Sequence, residues 1–272
     1  MTGKANVLPH LTARALYSMA RANPAKHRHS GASTSHASSF ETSPNPQTGE
    51  VSNQPPDAKR RGGARNLANI ESYGLKPAQI ANLLAAAPYA GEIGLPFTRL
   101  FTLHWEAAGV PLKGMRNATG RFTDLLAKAL ARHGSGAAWL WVHESGDGKG
   151  GHCHMLAHVP SELAATVSGL QKGWLRRITG KPYRARVIRS TPIGGRLGME
   201  TSNPELHAVN LGAALAYVLK GANPEAASQF GLERLEPGGC VIGKRCGTSQ
   251  NIGAKARGPS NGSRSLTSDC DE

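Results

Sequence analysis

The stretch Glu144-Ser145-Gly146-Asp147-Gly148-Lys149-Gly150-Gly151-His152-Cys153-His154 decides the fold. It holds a glycine-rich turn, Ser145 to Gly150, between two expected strands, Ala138 to Glu144 before it and His152 to Val159 after it. That pattern predicts a β-hairpin. Side chains alternate along a strand, so His152 and His154 share one face and Cys153 points to the other. A turn centred on Gly148 sets Glu144 opposite His152 and Val142 opposite His154. Paired residues share a face at about 4.5–5.5 Å between Cβ atoms, so Glu144, His152 and His154 would converge. A turn shifted by one residue would bring His143 to that face instead of Glu144. Glu144 is the favoured third member.

Outward from the hairpin, the hydrophobic periodicity places the other elements. Upstream, residues 76–87 predict a helix with Pro77 in its first turn. Phe97 to Trp105 alternates and predicts a strand, and residues 117–132 carry Phe122, Leu125, Leu126, Ala129 and Leu130 at helical spacing. Downstream, Ser161 opens a helix that Gly180 and Pro182 end. Residues 183–190 predict a strand with arginines on one face, and Pro204 starts a helix that Gly221 closes. This order predicts an α+β domain, a central antiparallel sheet with helices packed on it.

The chain has 272 residues, 39% hydrophobic and 5% aromatic, with 33 glycines and 17 prolines. That is too little apolar material to pack a core from end to end. The expected division is a disordered basic and polar tail over 1–63, a folded domain over 64–237 and a flexible basic tail over 238–272. A short amphipathic helix around Leu11 to Met19 and a basic cluster at Lys59, Arg60, Arg61 and Arg65 fall within or beside the first tail. Four cysteines without zinc-knuckle spacing argue against a disulfide framework or a structural zinc site. No apolar run reaches the roughly 18–20 residues of a membrane span. The expected setting is cytoplasmic. Thirty-two Lys and Arg against 18 Asp and Glu give a net charge of +14. Such an excess favours nucleic acid as the partner.

Two imidazoles and one carboxylate suit a divalent cation, Mg²⁺ or Mn²⁺, with positions left open for a phosphate oxygen. Downstream lies Tyr217-Val218-Leu219-Lys220 in a helix lined by Ala213, Ala214 and Ala216. Lys220, three residues on, shares the face of Tyr217. Its charge would favour the tyrosinate form or hold a phosphate in line. Arg184, Arg186 and Arg189, with Arg176, Arg177 and Lys181, would form a phosphate-binding wall. Lys244, Arg245, Lys255 and Arg257 would add a flexible clamp. Trp139, Trp141, Trp174 and Cys153 read as core, and His158 as structural.

Three of these motifs stand in the order found in one group of enzymes. Phe101-Thr102-Leu103-His104-Trp105, His152-Cys153-His154-Met155 and Tyr217-Val218-Leu219-Lys220 resemble motifs one to three of HUH-type endonucleases, in the branch that initiates rolling-circle replication. The resemblance covers roughly residues 95–225. It implies a metal-dependent nicking and joining enzyme with Tyr217 as nucleophile, forming a 5′-phosphotyrosine link and freeing a 3′-hydroxyl. It also implies single-stranded DNA at a replication origin as substrate. Leu211 to Gly221 holds no second tyrosine, so one-tyrosine chemistry is expected. Without a Gly-x-x-x-x-Gly-Lys-[Ser/Thr] motif, duplex opening would fall to a host or partner helicase. The competing readings are a non-catalytic basic nucleic-acid-binding protein and a single-tyrosine transposase of the same fold.

Overall fold

The computed structural model describes residues 69–258 apart from Asp147. The tail expected over 1–63, its short helix, the Lys59–Arg65 basic cluster and residues 259–272 lie outside the described residues.

Seven strands are described: β1 (Glu71–Ser72), β2 (Arg99–Leu103), β3 (Trp139–Gly146), β4 (Gly150–Ala157), β5 (Ile188–Pro192), β6 (Val241–Ile242) and β7 (Cys246–Thr248). The longer helices are α1 (Pro77–Glu92), α2 (Met115–Ala131), α3 (Ala164–Thr179) and α5 (Pro204–Val218). Shorter ones are α4 (Met199–Ser202), α6 (Pro224–Phe230) and α7 (Ala254–Arg257). The main sheet is antiparallel throughout, in the order β5-β2-β4-β3-β7. β1 pairs with β6 in a small second sheet. The fold is the α+β arrangement that the sequence predicts.

Strand alternation sorts the core into two layers. Phe101, Leu103, Trp141, Cys153 and Met155 point to one face and pack on Phe122, Leu126 and Leu130 of α2 and on Trp174, Leu175 and Ile178 of α3. Leu140, Val142 and Leu156 point to the other face and pack on Ile80 and Leu83 of α1 and on Leu211, Leu215 and Val218 of α5. Each helix therefore buries one apolar stripe against the sheet, which stabilises it far more than intrinsic propensity does. The hairpin closes through Gly148 and Gly150, both with positive φ, a conformation that glycine adopts without steric cost.

Several elements differ from their expected bounds. α1 runs through Pro88 to Glu92. Ser161 opens a single 3₁₀ turn, and α3 proper starts at Ala164 and ends on left-handed Gly180. The strand expected over 183–190 begins only at Ile188. Arg186 has φ 64°, a left-handed turn conformation that no strand tolerates. The arginines there consequently do not form one strand face.

The folded part also continues past residue 237, where the sequence suggests a flexible tail. β7 is an edge strand of the main sheet, paired with β3 through Trp141↔Gly247. Arg245, expected in a mobile clamp, is 1% exposed. Its guanidinium donates to the carbonyls of Gly239, Gly238 and His143, at 2.6, 3.2 and 3.3 Å, and to that of Ser72. Nε donates to Ser72 Oγ at 3.0 Å. The planar fork thus ties β1, the 238–239 segment and β3 together. Gly239 is required where it stands. A Cβ there would lie 1.5 Å from the carbonyl oxygen of Ser145.

Replacing Arg245 with Met takes donors from four carbonyls, those of His143 and Gly238 buried and those of Ser72 and Gly239 partly so, and a buried group left unsatisfied costs about 1–3 kcal/mol before relaxation. Arg245→Met is expected to lower the urea midpoint by at least about 1 M, taking an m-value of about 1–3 kcal/mol/M. Lys244→Met, next to it and partly exposed, serves as the control and should leave the midpoint nearly unchanged.

Candidate metal centre and tyrosine site

The hairpin register sets Glu144 opposite His152 and Val142 opposite His154. Glu144, His152 and His154 have ligand atoms within 4.8 Å of one another and are all buried. His143 pairs with Cys153 on the other face. There its Nε2 meets Thr119 Oγ1 at 2.8 Å, and its Nδ1 donates to the carbonyl of Lys244 at 3.1 Å. Burial pushes the His143 imidazole down to about 3, so it is a neutral core residue. The alternative in which His143 replaces Glu144 does not occur.

The ring nitrogens settle how the group is poised. A carbonyl only accepts, so the 2.8 Å contact between His152 Nδ1 and the oxygen of Gly150 puts the proton on Nδ1. His152 Nε2 then faces Glu144 Oε2 at 3.2 Å. His154 Nδ1 meets Thr102 Oγ1 at 3.1 Å, and its Nε2 lies 3.4 Å from the same carboxylate oxygen. His154 Nε2 and Glu144 Oε1 are buried without a hydrogen-bond partner. Two imidazole nitrogens and a carboxylate, pressed together away from water, need a positive charge among them. A divalent ion fits this donor set. Each histidine has its second nitrogen anchored, as metal-binding histidines commonly do.

Lys220 supplies the positive charge that the protein itself carries. It follows α5, is 4% exposed, and its Nζ donates to Glu144 Oε2. Burial alone would raise the Glu144 carboxyl. The contacts with His152, His154 and Lys220 outweigh it and hold the carboxyl well below the usual range. Burial depresses the His154 imidazole despite the neighbouring Glu144.

Tyr217 sits in the last turn of α5, half-buried, with its ring 4.8 Å from that of His154. A cavity of about 220 Å³ is lined by Thr102, His104, His152, His154, Tyr217 and Lys220, with Lys149 and Arg189 at its sides. The late helix and the hairpin therefore meet in one pocket. The Lys220 ammonium is bonded to Glu144 and lies 5.2 Å from the centre of the Tyr217 ring. Burial, with Glu144 and Glu236 nearby, pushes the Tyr217 phenol up rather than down.

Of the six expected phosphate-binding residues, only Arg189 lines the cavity. It pairs with Thr102, which pairs in turn with His154, so the three stand in one row across the sheet. Arg176 and Arg177 end α3, which packs on the opposite face. Lys181 Nζ donates to the carbonyl of Gly109 at 3.0 Å. Arg184 reaches that of Ala107 at 3.5 Å, and Arg186 is exposed in its turn. The partnership of Thr102 with His154 depends on a non-local register, so the motif Phe101–Trp105 by itself does not reveal it. Lys149, Arg234 and Glu236, which also face Tyr217 or Lys220, carried no sequence signal beyond their charge.

No helix among the described residues is long and apolar enough to cross a membrane. No protein-family model, curated protein or solved structure matches the chain.

Mn²⁺ at 100 times its Kd is expected to stabilise the fold by about 2.7 kcal/mol. His152→Ala/His154→Ala should abolish the corresponding rise in Tm. Thr102→Val, which unpins His154 without removing a ligand, should weaken Mn²⁺ binding by about 10–100-fold in titration calorimetry. Equal Mn²⁺ affinity in the double-alanine variant and the parent chain would show that these residues do not hold the ion.

Proposed function

We propose that the protein cuts and rejoins single-stranded DNA, with Tyr217 as nucleophile beside a divalent ion held by Glu144, His152 and His154. The observation that carries this reading is the shared cavity. A tyrosine, two buried histidines and a buried carboxylate line or flank one small basic pocket. The motifs that resemble HUH-type endonucleases supply the tyrosine and the two histidines, and Glu144 comes from the strand paired with the second motif. The net charge of +14 suits a polyanionic substrate.

In the reaction the Tyr217 oxygen forms a bond to phosphorus and the bond from phosphorus to the 3′-oxygen breaks. The phenol loses its proton, and the departing 3′-oxygen gains one. The product is a 5′-phosphotyrosine and a free 3′-hydroxyl. Rejoining is the reverse step, so the phosphodiester energy is conserved. A bound divalent ion would polarise a phosphate oxygen and stabilise charge developing at the reacting phosphorus. Thr102 and the Gly150 carbonyl hold the two imidazoles in orientation. Arg189 offers a phosphate contact on the far side of Thr102. Lys220 keeps Glu144 ionised and places an ammonium at the cavity wall. The raised Tyr217 phenol makes attack depend on the added positive charge of the loaded site.

Initiation of rolling-circle replication is the process this chemistry suits, with a host or partner helicase opening the duplex. A freed 3′-hydroxyl is a primer, and a joinable 5′ end permits termination.

With Mn²⁺ and a library of single-stranded oligonucleotides labelled at the 3′ end, the chain is expected to form a denaturation-resistant labelled adduct. Tyr217→Phe should reduce it to background, and His152→Ala/His154→Ala by at least about 100-fold. Tight binding with no adduct on any sequence would instead favour a non-catalytic nucleic-acid-binding protein. Joining confined to hairpin-ended substrates would favour a transposase.

A further inference from the structure

Beside Tyr217, three cations from three separate parts of the chain converge on one carboxylate. Arg234 Nε donates to Glu236 Oε1 at 3.0 Å. Lys149 Nζ, from the β3–β4 turn, lies 3.7 Å from Glu236 Oε2. Lys220 Nζ lies 3.6 Å from the same oxygen. The Glu236 backbone N–H donates to the Lys220 carbonyl at 2.9 Å, which fixes this segment against the site. The Arg234 guanidinium lies 5.2 Å from the centre of the Tyr217 ring. Lys149 and Lys220 also line the cavity that holds Tyr217 and the two histidines.

Charge and exposure show what this cluster suits. Glu144 is buried, and its Oε2 is engaged by Lys220 and the two imidazoles. Glu236 is the only other carboxylate among the described residues within ion-pair distance of these cations, so three cations face two carboxylates. Arg234 and Lys149 are largely exposed, at 58% and 64% of their side-chain surface. Ion pairs so close to water contribute little to stability. An incoming anion can therefore replace Glu236 at small cost. A guanidinium and an ammonium set side by side match a phosphodiester, which accepts a two-pronged hydrogen bond from the first and a point charge from the second.

We infer that Lys149 and Arg234 form a phosphate-binding subsite next to the attacked bond, and that the Glu236 carboxylate occupies it until DNA arrives. The inference rests on the proposed reading, in which the substrate is single-stranded DNA. The phosphate it binds belongs to that strand, adjacent to the one Tyr217 attacks. On binding, the strand displaces Glu236 from Arg234 and Lys149. The same contact holds the Arg234 guanidinium over the Tyr217 ring and so restricts the nucleophile's position. Arg234 and Lys149 are substrate-binding and positioning residues in this scheme. Neither takes or gives a proton.

The test measures salt-dependent binding of a single-stranded oligonucleotide by fluorescence anisotropy, in chains that also carry Tyr217→Phe so that no cleavage intervenes. Lys149→Ala and Arg234→Ala should each reduce the magnitude of the slope of log K against log[salt] by about 0.7, the value for one lost phosphate contact on a single strand. Arg234→Lys should restore the slope while binding less tightly. Glu236→Gln, which removes the competing charge and keeps the shape, should tighten binding severalfold. A purely structural Arg234–Glu236 pair would leave the slope unmoved, and Glu236→Gln would then weaken binding or leave it alone. Unchanged slopes, with the parental tyrosine chain still forming its adduct, would overturn the subsite alone. Reduced slopes with no adduct on any sequence would uphold the subsite and overturn cleavage. No binding of single-stranded DNA at all would overturn both.

Discussion

The buried carboxylate of Glu144 is the constraint around which the site is arranged. Removing a charged group from water costs several kcal/mol even after relaxation, and only close partners offset that cost. Glu144 finds them in His152 and His154 across one hairpin and in Lys220, which is 76 residues away in sequence. This long-range pair fixes the end of α5 against β3. The same attachment places Tyr217 beside His154. A requirement of charge burial thus also positions Tyr217.

How much of this was legible in the sequence follows from how local each feature is. The hairpin was legible because its register depends on one turn, and a turn centred on Gly148 gives Glu144↔His152 directly. The shared cavity of Tyr217 and the histidines came from motif order, and the geometry agrees with it. Other features rest on contacts between distant segments. Thr102 became a partner of His154 only through the pairing of β2 with β4. The 183–190 run has strand composition, yet the turn at Arg186 delays the strand to Ile188. Residues 238–258 look like a basic, glycine-rich tail because their glycines serve close backbone approach and their arginine is buried in carbonyls. Gly239 against Ser145 and Arg245 against Gly238 are the clearest cases. Composition cannot separate a glycine needed for contact from one that loosens a linker. Nor did it show that Arg176, Arg177 and Lys181 point away from the cavity, since that depends on which sheet face α3 covers.

The ligand face of the sheet is half core and half site. Along β3 it reads Leu140, Val142, Glu144, and along β4, from the same end, Leu156, His154, His152. The apolar ends of both rows pack under α1 and α5. Only the last pairs toward the hairpin turn are polar. Rotamers next to a close-packed layer have little freedom, so the imidazoles inherit rigidity from the core beneath them. The Glu144, His152 and His154 group needs no loop to assemble it.

The placement of Tyr217 brings a difficulty that the cations around it answer. It sits in the final turn of α5, where unsatisfied carbonyls carry the negative end of the helix dipole. A phenolate is disfavoured there, and an approaching phosphate is repelled. Burial and the nearby carboxylates of Glu144 and Glu236 act in the same direction, which accounts for the raised phenol. Lys220, Arg234 and Lys149 stand on the opposite side of this balance, and all three are within reach of carboxylates that partly cancel them. A substrate that draws these cations away from Glu236, together with a divalent ion that draws Glu144, would turn the local field from one that keeps the phenol protonated to one that favours its ionisation. In the proposed reaction the resting protein is chemically quiet, and its reactive state is built by the ligands it acts on.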